Sequence, residues 1–163
     1  MHPYIHAKNT PNKAAFIMAS SGKITTYKEL DERSNQLAHL FRQRGLKVGD
    51  GISIFMENNS KFLEICWAAQ RSGLYFTPIS SRLTPGEVEY IHRDCDSKLI
   101  ISSSYLGKAA KELIKMTKNT PTHLMIDGLE EGWESLESAI KKMPKTPIED
   151  EEMGQDMLYS SGT

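Results

Sequence analysis

The stretch with the clearest capacity for chemistry places three hydroxyl side chains around a glycine, in the order Ser160, Ser161, Gly162, Thr163. Glycine lets the backbone approach an anion closely, neighbouring amides can point at that anion, and Ser and Thr hydroxyls add donors with little bulk. This composition is typical of a loop that binds phosphate groups. Ser, Gly and Thr also cluster in ordinary turns, and for these four residues taken alone a turn is the more frequent explanation.

The residues before this loop suggest how it is positioned. The apolar run Met157-Leu158-Tyr159 predicts the end of a buried strand that opens directly into the loop. Asp156 either hydrogen-bonds the loop backbone or simply begins that strand. A phosphate loop has a second half, usually with a lysine, and none follows Thr163. We therefore expect a fragment that ends inside its own active site.

Composition excludes several classes of protein. The chain has 163 residues, a net charge of -1 and interspersed basic and acidic side chains, so we expect no nucleic-acid partner. No stretch approaches the ~20 apolar residues of a membrane span, and the N-terminus lacks the order of a signal peptide. Cys66 and Cys95 lie in apolar helical patterns without a CxxC neighbour, which fits a reducing, cytoplasmic setting.

The N-terminal third predicts a helix, a hairpin and a long helix. Residues 2–9 favour a short helix, and residues 14–18 and 24–26 favour two strands joined by a turn. Thr26 and Glu29 have the spacing of a capping box, which begins a helix that Gly45 is placed to end.

The rest of the chain alternates strands and helices. Strands are predicted at 51–56, 74–77, 98–101 and 122–126, the first central and the second stopped by Pro78. Helices are predicted after a cap at Asn58-Asn59-Ser60, after a second capping box at Thr84 and Glu87, and over 105–117. A further helical face carries Trp133, Leu136, Ile140 and Met143. The acidic run 149–152 is interpreted as a solvated linker.

This alternation predicts an α/β fold, with a mostly parallel sheet flanked by helices on both faces. Ligands of such sheets bind outside the carboxyl ends of the strands. The loop Ser160–Thr163 follows a predicted strand, which strengthens its interpretation as a phosphate site.

Three stretches together resemble the adenylate-forming superfamily of acyl-CoA synthetases, luciferases and peptide-synthetase adenylation domains. They are Thr26-Tyr-Lys-Glu-Leu30 with Leu46-Lys-Val-Gly-Asp50, then Trp67 to Pro78 with Arg82-Leu83-Thr84 and Glu87, and finally Tyr159-Ser-Ser-Gly-Thr163. The resemblance covers the chain from Pro11 onward and leans toward fatty-acyl and related CoA ligases. At Gly51, Glu57, Ser80 and Ser81 the chain differs from residues that are common in this superfamily. These differences bear on the subfamily more than on the chemistry.

The resemblance implies a two-step, ATP-dependent reaction. A carboxylate attacks the α-phosphate and forms an acyl-adenylate and pyrophosphate. A thiol then displaces AMP, and the resemblance to CoA ligases makes coenzyme A the expected thiol. Residues 1–163 would be the N-terminal portion of the large AMP-binding domain. Ser160, Ser161, Gly162 and Thr163 would hold pyrophosphate oxygens. The resemblance places the catalytic residues, the Mg²⁺-binding acid and the acyl pocket after Thr163. We therefore predict no catalytic residue and no metal ligand in this chain, and we expect it to be catalytically inert alone.

Other residue patterns favour structural explanations. His92 with Cys95, and His2 with His6, have helical spacing for metal ligands, but no third ligand completes either site. Trp67 and Trp133 lie among aliphatic residues at helical spacing and are predicted to be core. Lys108, Lys111 and Lys115 form a predicted solvated helix face.

One alternative function stays open, a self-standing α/β binding or scaffold module without catalysis. A Walker-type phosphate site is excluded because no G-x-x-x-x-G-K-[ST] pattern occurs. The residues leave the acyl chain, the thiol acceptor and the oligomeric state open, with a homodimer among the expected assemblies.

Overall fold

The N-terminal region of the structure, a computed structural model that describes residues 3–159, contains two helices and a hairpin. Helix α1 spans Pro3–Asn9, and strands β1 (Ala14–Ile17) and β2 (Ile24–Thr26) pair antiparallel. Helix α2 spans Tyr27–Gln43. Thr26 and Glu29 form the predicted capping box at its start, and Gly45 follows its end with a φ of 83°.

A six-stranded sheet forms the centre of the fold. Its strands are β3 (Gly51–Met56), β4 (Tyr75–Ser80), β5 (Ser97–Ser103), β6 (Thr122–Ile126), β7 (Glu134–Ser135) and β8 (Gln155–Asp156). Their order is β7-β6-β5-β3-β4-β8, and every neighbouring pair is parallel. The predicted parallel sheet and the central position of β3 are confirmed.

Four helices connect the strands of this sheet and cover its faces. They are α3 (Phe62–Arg71), α4 (Pro85–Asp94), α5 (Gly107–Met116) and α6 (Leu136–Ile140), with a short 3-10 turn at Ser104–Leu106 before α5. The predicted capping box at Thr84 and Glu87 begins α4, with Pro85 in its first turn.

The core is divided between the two faces of the sheet, as the alternation of side chains along a strand requires. On one face, Ile52 and Ile54 of β3 pack against α2, α3 and α6. On the other face, Phe55 packs against residues of α4 and α5 that include Val88 and Leu113. Helices therefore flank both faces, as predicted.

Pro78 does not end its strand, contrary to the sequence-based expectation. It lies inside β4 opposite Ile54. The carbonyl of Phe76 accepts a hydrogen bond from the Met157 amide, so the polar backbone atoms of Phe76 face β8. Pro78 lies two residues further along β4, and its nitrogen therefore faces the same side. At that point β8 has already ended. Since no partner strand needs an N–H there among the described residues, proline is tolerated.

The predicted helix through Trp133, Leu136, Ile140 and Met143 is also wrong in its extent. Trp133 precedes β7, and the helix is confined to α6. Trp133 packs on the α5 side of the sheet, whereas Leu136, Ile140 and Met143 pack on the opposite side. A strand at the sheet edge thus separates residues whose spacing matches one helical face.

Candidate active site

The carboxyl ends of the parallel strands meet at one edge of the sheet, which is where a ligand would be expected. β3 ends at Met56, β5 at Ser103 and β6 at Ile126, and polar residues follow or complete each strand. At this edge we find a network of carboxylates, one lysine and one asparagine that joins the loops after these strands.

Lys61 and Asn59 organise this network. Lys61 Nζ donates to Asp127 Oδ1 and to Glu137 Oε1, each at 2.5 Å. Asn59 Nδ2 donates to Asp127 Oδ2 at 2.8 Å and to Glu57 Oε1 at 2.9 Å, and Ser103 Oγ also donates to Glu57. Each carboxylate is therefore partnered within the network, which fixes the loops relative to one another.

Hydrogen bonds and ion pairs within this network offset the burial of its charged groups. Burial alone would raise the pKa of the Asp127 carboxyl, but hydrogen bonds from Lys61 and Asn59 hold it below its usual value. Burial opposes the charge of Lys61 as well, and its two carboxylate partners nevertheless raise its pKa. Lys61 is thus committed to these partners and acts as a cross-link between loops.

Asn59, one of the residues predicted to cap helix α3, belongs to this network. Helix α3 begins after Lys61 without a side-chain cap, which corrects the prediction for Asn58-Asn59-Ser60. Asn59 Oδ1 accepts from the Lys61 amide at 2.9 Å, while its amide group donates to the carboxylates. Asn59 is a typical capping residue by type, but Asp127, one of its acidic partners, lies in a distant part of the chain.

Strand β8 leads toward the predicted phosphate loop. The amides of Gln155 and Met157 donate to the carbonyls of Leu74 and Phe76 at 3.0 and 2.9 Å, so β8 runs parallel to β4. Ser160, Ser161, Gly162 and Thr163 follow, but they lie outside the described residues, as does His2. Their assignment as a phosphate loop stays a prediction.

The strand before this loop is shorter and more exposed than predicted. β8 ends at Asp156, both of its residues are exposed, and Leu158 is 70% exposed. The cause is position, because β8 is the edge strand of the described sheet and has only β4 beside it. Tyr159 is held by its hydroxyl, which donates to Asp94 Oδ2 at 2.6 Å, and this hydrogen bond raises the pKa of Tyr159.

The candidate metal ligands have other partners. His92 Nδ1 lies 3.0 Å from Ser53 Oγ, and its Nε2 lies 2.7 Å from Thr120 Oγ1. Cys95 Sγ lies 3.0 Å from Ser97 Oγ. Within residues 3–159, no group of three or more His, Cys, Asp or Glu side chains could hold a metal ion.

The remaining structural interpretations can be compared with the fold directly. Trp133 is buried and its Nε1 donates to the Ala110 carbonyl at 3.3 Å, whereas Trp67 is half-buried. Lys108, Lys111 and Lys115 are exposed, as predicted. Cys66 is a buried thiol, and burial raises its pKa to about 12.

The buried imidazole of His92 predicts acid sensitivity. Burial, and secondarily the nearby His123, lower the pKa of His92 to about 4, whereas an unfolded chain has a His pKa of about 6.5. Below pH 6.5 the unfolded state therefore binds a proton that the folded state does not, and stability falls as the pH falls. From about pH 7 to about pH 5 this group should remove about 2 kcal/mol of unfolding free energy.

The variant His92→Gln isolates this contribution. Glutamine keeps a polar side chain for Ser53 and Thr120 but does not titrate. Denaturant unfolding at the two pH values should show a smaller loss of stability in the variant than in the wild type. Equal losses in the two proteins would assign the acid sensitivity to other groups.

Two features near β8 had no signal in the sequence. Arg71 is a buried arginine bonded to Asp31, Ser34 and Glu151. Gly154 is buried against the backbone of Leu74.

The acidic run interpreted as a solvated linker is exposed but not free, because Asp150 pairs with Arg42 at 2.9 Å and Glu151 pairs with Arg71 at 2.7 Å.

Comparison with known proteins gives these observations a family context. The family model described as "AMP-binding enzyme" matches residues 4–163. A fatty acid–acyl-carrier-protein ligase of Streptomyces coeruleorubidus is 27% identical over 159 residues, which cover 97% of this chain and 29% of that protein. A 3-oxocholest-4-en-26-oate–CoA ligase of Rhodococcus rhodochrous is 25% identical over 154 residues, covering 90% of this chain and 28% of that protein.

Solved structures share the fold. An anthranilate CoA ligase in complex with anthranoyl-AMP superposes with a TM-score of 0.84 at 20% identity, covering 98% of this chain and 32% of that one. The chain thus spans less than a third of the length of each of these proteins.

Among the residues that the structure describes, no helix combines the length and apolar composition needed to cross a membrane.

Proposed function

Because this chain belongs to the AMP-binding enzyme family, we propose that it is the N-terminal portion, residues 1–163, of an ATP-dependent carboxylate ligase. The carboxylate oxygen of the substrate attacks the α-phosphorus of ATP, the bond to the β-phosphate oxygen breaks, and pyrophosphate leaves. A thiol then attacks the acyl carbon of the adenylate and AMP leaves with the bonding electron pair. The product is a thioester.

The single observation that carries this proposal is the position of β8. It adds to the sheet beside β4 in parallel register, and the bond from the Met157 amide to Phe76 continues this pairing up to three residues before Ser160. The family match extends through Thr163, so it includes the loop. We propose that the amides and hydroxyls of Ser160, Ser161, Gly162 and Thr163 bind pyrophosphate oxygens, where charge concentrates during transfer.

The polar network at the sheet edge supports a positioning role for the remaining loops. Lys61 and Asn59 hold the loops after β3 and β6 together. Preorganised loops cost little reorganisation when a charged ligand binds. We therefore propose that this network shapes the neighbourhood of the nucleotide site without taking part in the chemistry.

Mg²⁺ and coenzyme A belong to the proposal for the full-length protein. Mg²⁺ would neutralise charge on the phosphates of ATP. The described residues do not fit a Mg²⁺ site, because Glu57 and Asp127 are already bonded to Asn59 and Lys61 supplies the second partner of Asp127. We therefore assign no step of the reaction to a metal held by residues 3–159.

The substrate class is proposed from the relatives. Their names specify a fatty acid and a steroid carboxylate, with an acyl-carrier protein and coenzyme A as acceptors. We propose a fatty or related carboxylic acid as substrate and coenzyme A as acceptor. A cytoplasmic location agrees with Cys66 and Cys95, which are both free thiols.

Carboxylate-dependent pyrophosphate exchange into ATP tests this function. The full-length protein should exchange labelled pyrophosphate in the presence of Mg-ATP and a fatty acid from a panel that varies in chain length. Residues 1–163 alone should show no exchange above background. Exchange that is absent with every carboxylic acid would favour a non-catalytic binding module, and exchange by residues 1–163 alone would refute the expected inactivity of the fragment.

A further inference from the structure

Residues 150–156, here called the anchor segment, cross the C-terminal end of α3 and are bonded to its backbone. The amide of Glu152 donates to the Arg71 carbonyl at 3.3 Å, and the amide of Gly154 donates to the Gln70 carbonyl at 2.6 Å. Gln155 then begins β8 with its bond to Leu74. The segment that leads to the phosphate loop is therefore attached to one helix end before it joins the sheet.

Arg71 connects this segment to the interior of the protein. Its side chain is 1% exposed, and its guanidinium donates to Asp31 Oδ1 at 3.1 Å and to Ser34 Oγ at 2.9 Å, both on α2. Its Nε donates to Glu151 Oε1 at 2.7 Å. A buried guanidinium held by α2 has little freedom, so it presents one fixed donor to the anchor segment.

Gly154 permits the close approach that these bonds require. A Cβ at this position would lie 2.3 Å from the Leu74 carbonyl oxygen and 2.8 Å from the Ala69 carbonyl oxygen. Both are backbone atoms of α3 or the turn after it. The anchor segment therefore lies in contact with the backbone of this turn, at a distance that only glycine allows.

We propose that Arg71 and Glu151 are positioning residues for ATP, because their ion pair keeps the anchor segment bound to α3 and so fixes where β8 delivers the phosphate loop. This inference rests on the proposed function. Without the pair, the segment would spend part of its time detached, and only the attached form would bind ATP. The apparent affinity for ATP would be the intrinsic affinity multiplied by the attached fraction. Saturating ATP would restore the attached form.

The variant Glu151→Ala tests this inference in the full-length protein. It removes the ion pair between the Arg71 side chain and the anchor segment but leaves Arg71 bonded to Asp31 and Ser34. We expect the KM for ATP in pyrophosphate exchange to rise about fivefold, with kcat at saturating ATP within about twofold of wild type, from the loss of one charge-assisted bond. The matched control is Glu134→Ala, which breaks the ion pair with Arg44 away from the anchor segment.

A second measurement separates positioning from general stability. Hydrogen exchange at the amides of Gly154 and Gln155 should be about fivefold faster in Glu151→Ala than in Glu134→Ala. The inference is overturned if the KM for ATP is unchanged, if kcat alone falls, or if the control shifts the KM equally. A wild-type protein without any pyrophosphate-exchange activity would instead overturn the proposed function, whereas an active wild type with an unaffected Glu151→Ala variant overturns this inference alone.

Discussion

Replacing two hydroxyls of the phosphate loop, Ser161→Ala together with Thr163→Val, should reduce pyrophosphate exchange by the full-length protein on the order of a hundredfold or more. Donors aimed at developing negative charge contribute more to the transition state than to substrate binding, and loss of one such donor commonly costs about a hundredfold to a thousandfold. The fall should occur mainly in kcat, measured at saturating ATP and carboxylate.

A matched control removes hydroxyls elsewhere. Ser20 and Thr146 are exposed and lie outside both β8 and the loop, so Ser20→Ala with Thr146→Val should leave exchange unchanged. If the loop variant keeps exchange within a few-fold of the wild type, Ser161 and Thr163 do not bind the reacting phosphates.

A methyl group added at Gly154 should lower the stability of the chain and detach β8. The Cβ of Gly154→Ala would overlap the Leu74 carbonyl oxygen at 2.3 Å and approach the Leu74 nitrogen at 2.8 Å. Backbone atoms cannot rotate away as a side chain can, so the anchor segment must move. We expect a loss of about 3 kcal/mol of unfolding free energy, at the upper end for overpacking, and a Tm lower by about 10 °C.

Gly86 supplies the control for this substitution. It lies in the first turn of α4, where an added Cβ would meet only the end of the Met116 side chain at 4.0 Å. Gly86→Ala should therefore be neutral or stabilise the helix by up to about 1 kcal/mol. Thermal unfolding of residues 1–163 compares the two variants directly, and equal Tm values for them would show that Gly154 is not sterically constrained.

The elements that the sequence predicts well are those defined by local signals. The capping boxes at Thr26 and Thr84 carry their partners three residues away, at Glu29 and Glu87, so their geometry is encoded within one turn of helix. The apolar run of β3 likewise indicates burial on both faces, which matches its central place in the sheet.

Position in the sheet outweighs local pattern at two places where the sequence-based prediction is wrong. Pro78 has the residue type of a strand terminator, but its nitrogen faces a side where β8 has already ended. Trp133 and Leu136 have helical spacing, but β7 pairs with β6 between them. The end of β8 beside Pro78 and the position of β7 at the sheet edge can be located only when the strand order is known.

Only part of the candidate site has a local signal in the sequence. The composition of Ser160–Thr163 and its resemblance to a known family indicate a phosphate loop from local residues. Arg71 could not be recognised in the same way, because its partners Asp31, Ser34 and Glu151 lie in other parts of the chain. Such a buried charge becomes visible only when α2, α3 and the anchor segment are brought together.

The most direct test of the proposed phosphate loop is a crystal structure of the full-length protein with a non-hydrolysable ATP analogue. We predict that the amides or hydroxyls of Ser160–Thr163 lie within about 3 Å of phosphate oxygens, with β8 still paired to β4. A nucleotide bound elsewhere, with these four residues making no contact to its phosphates, would contradict the proposed phosphate loop.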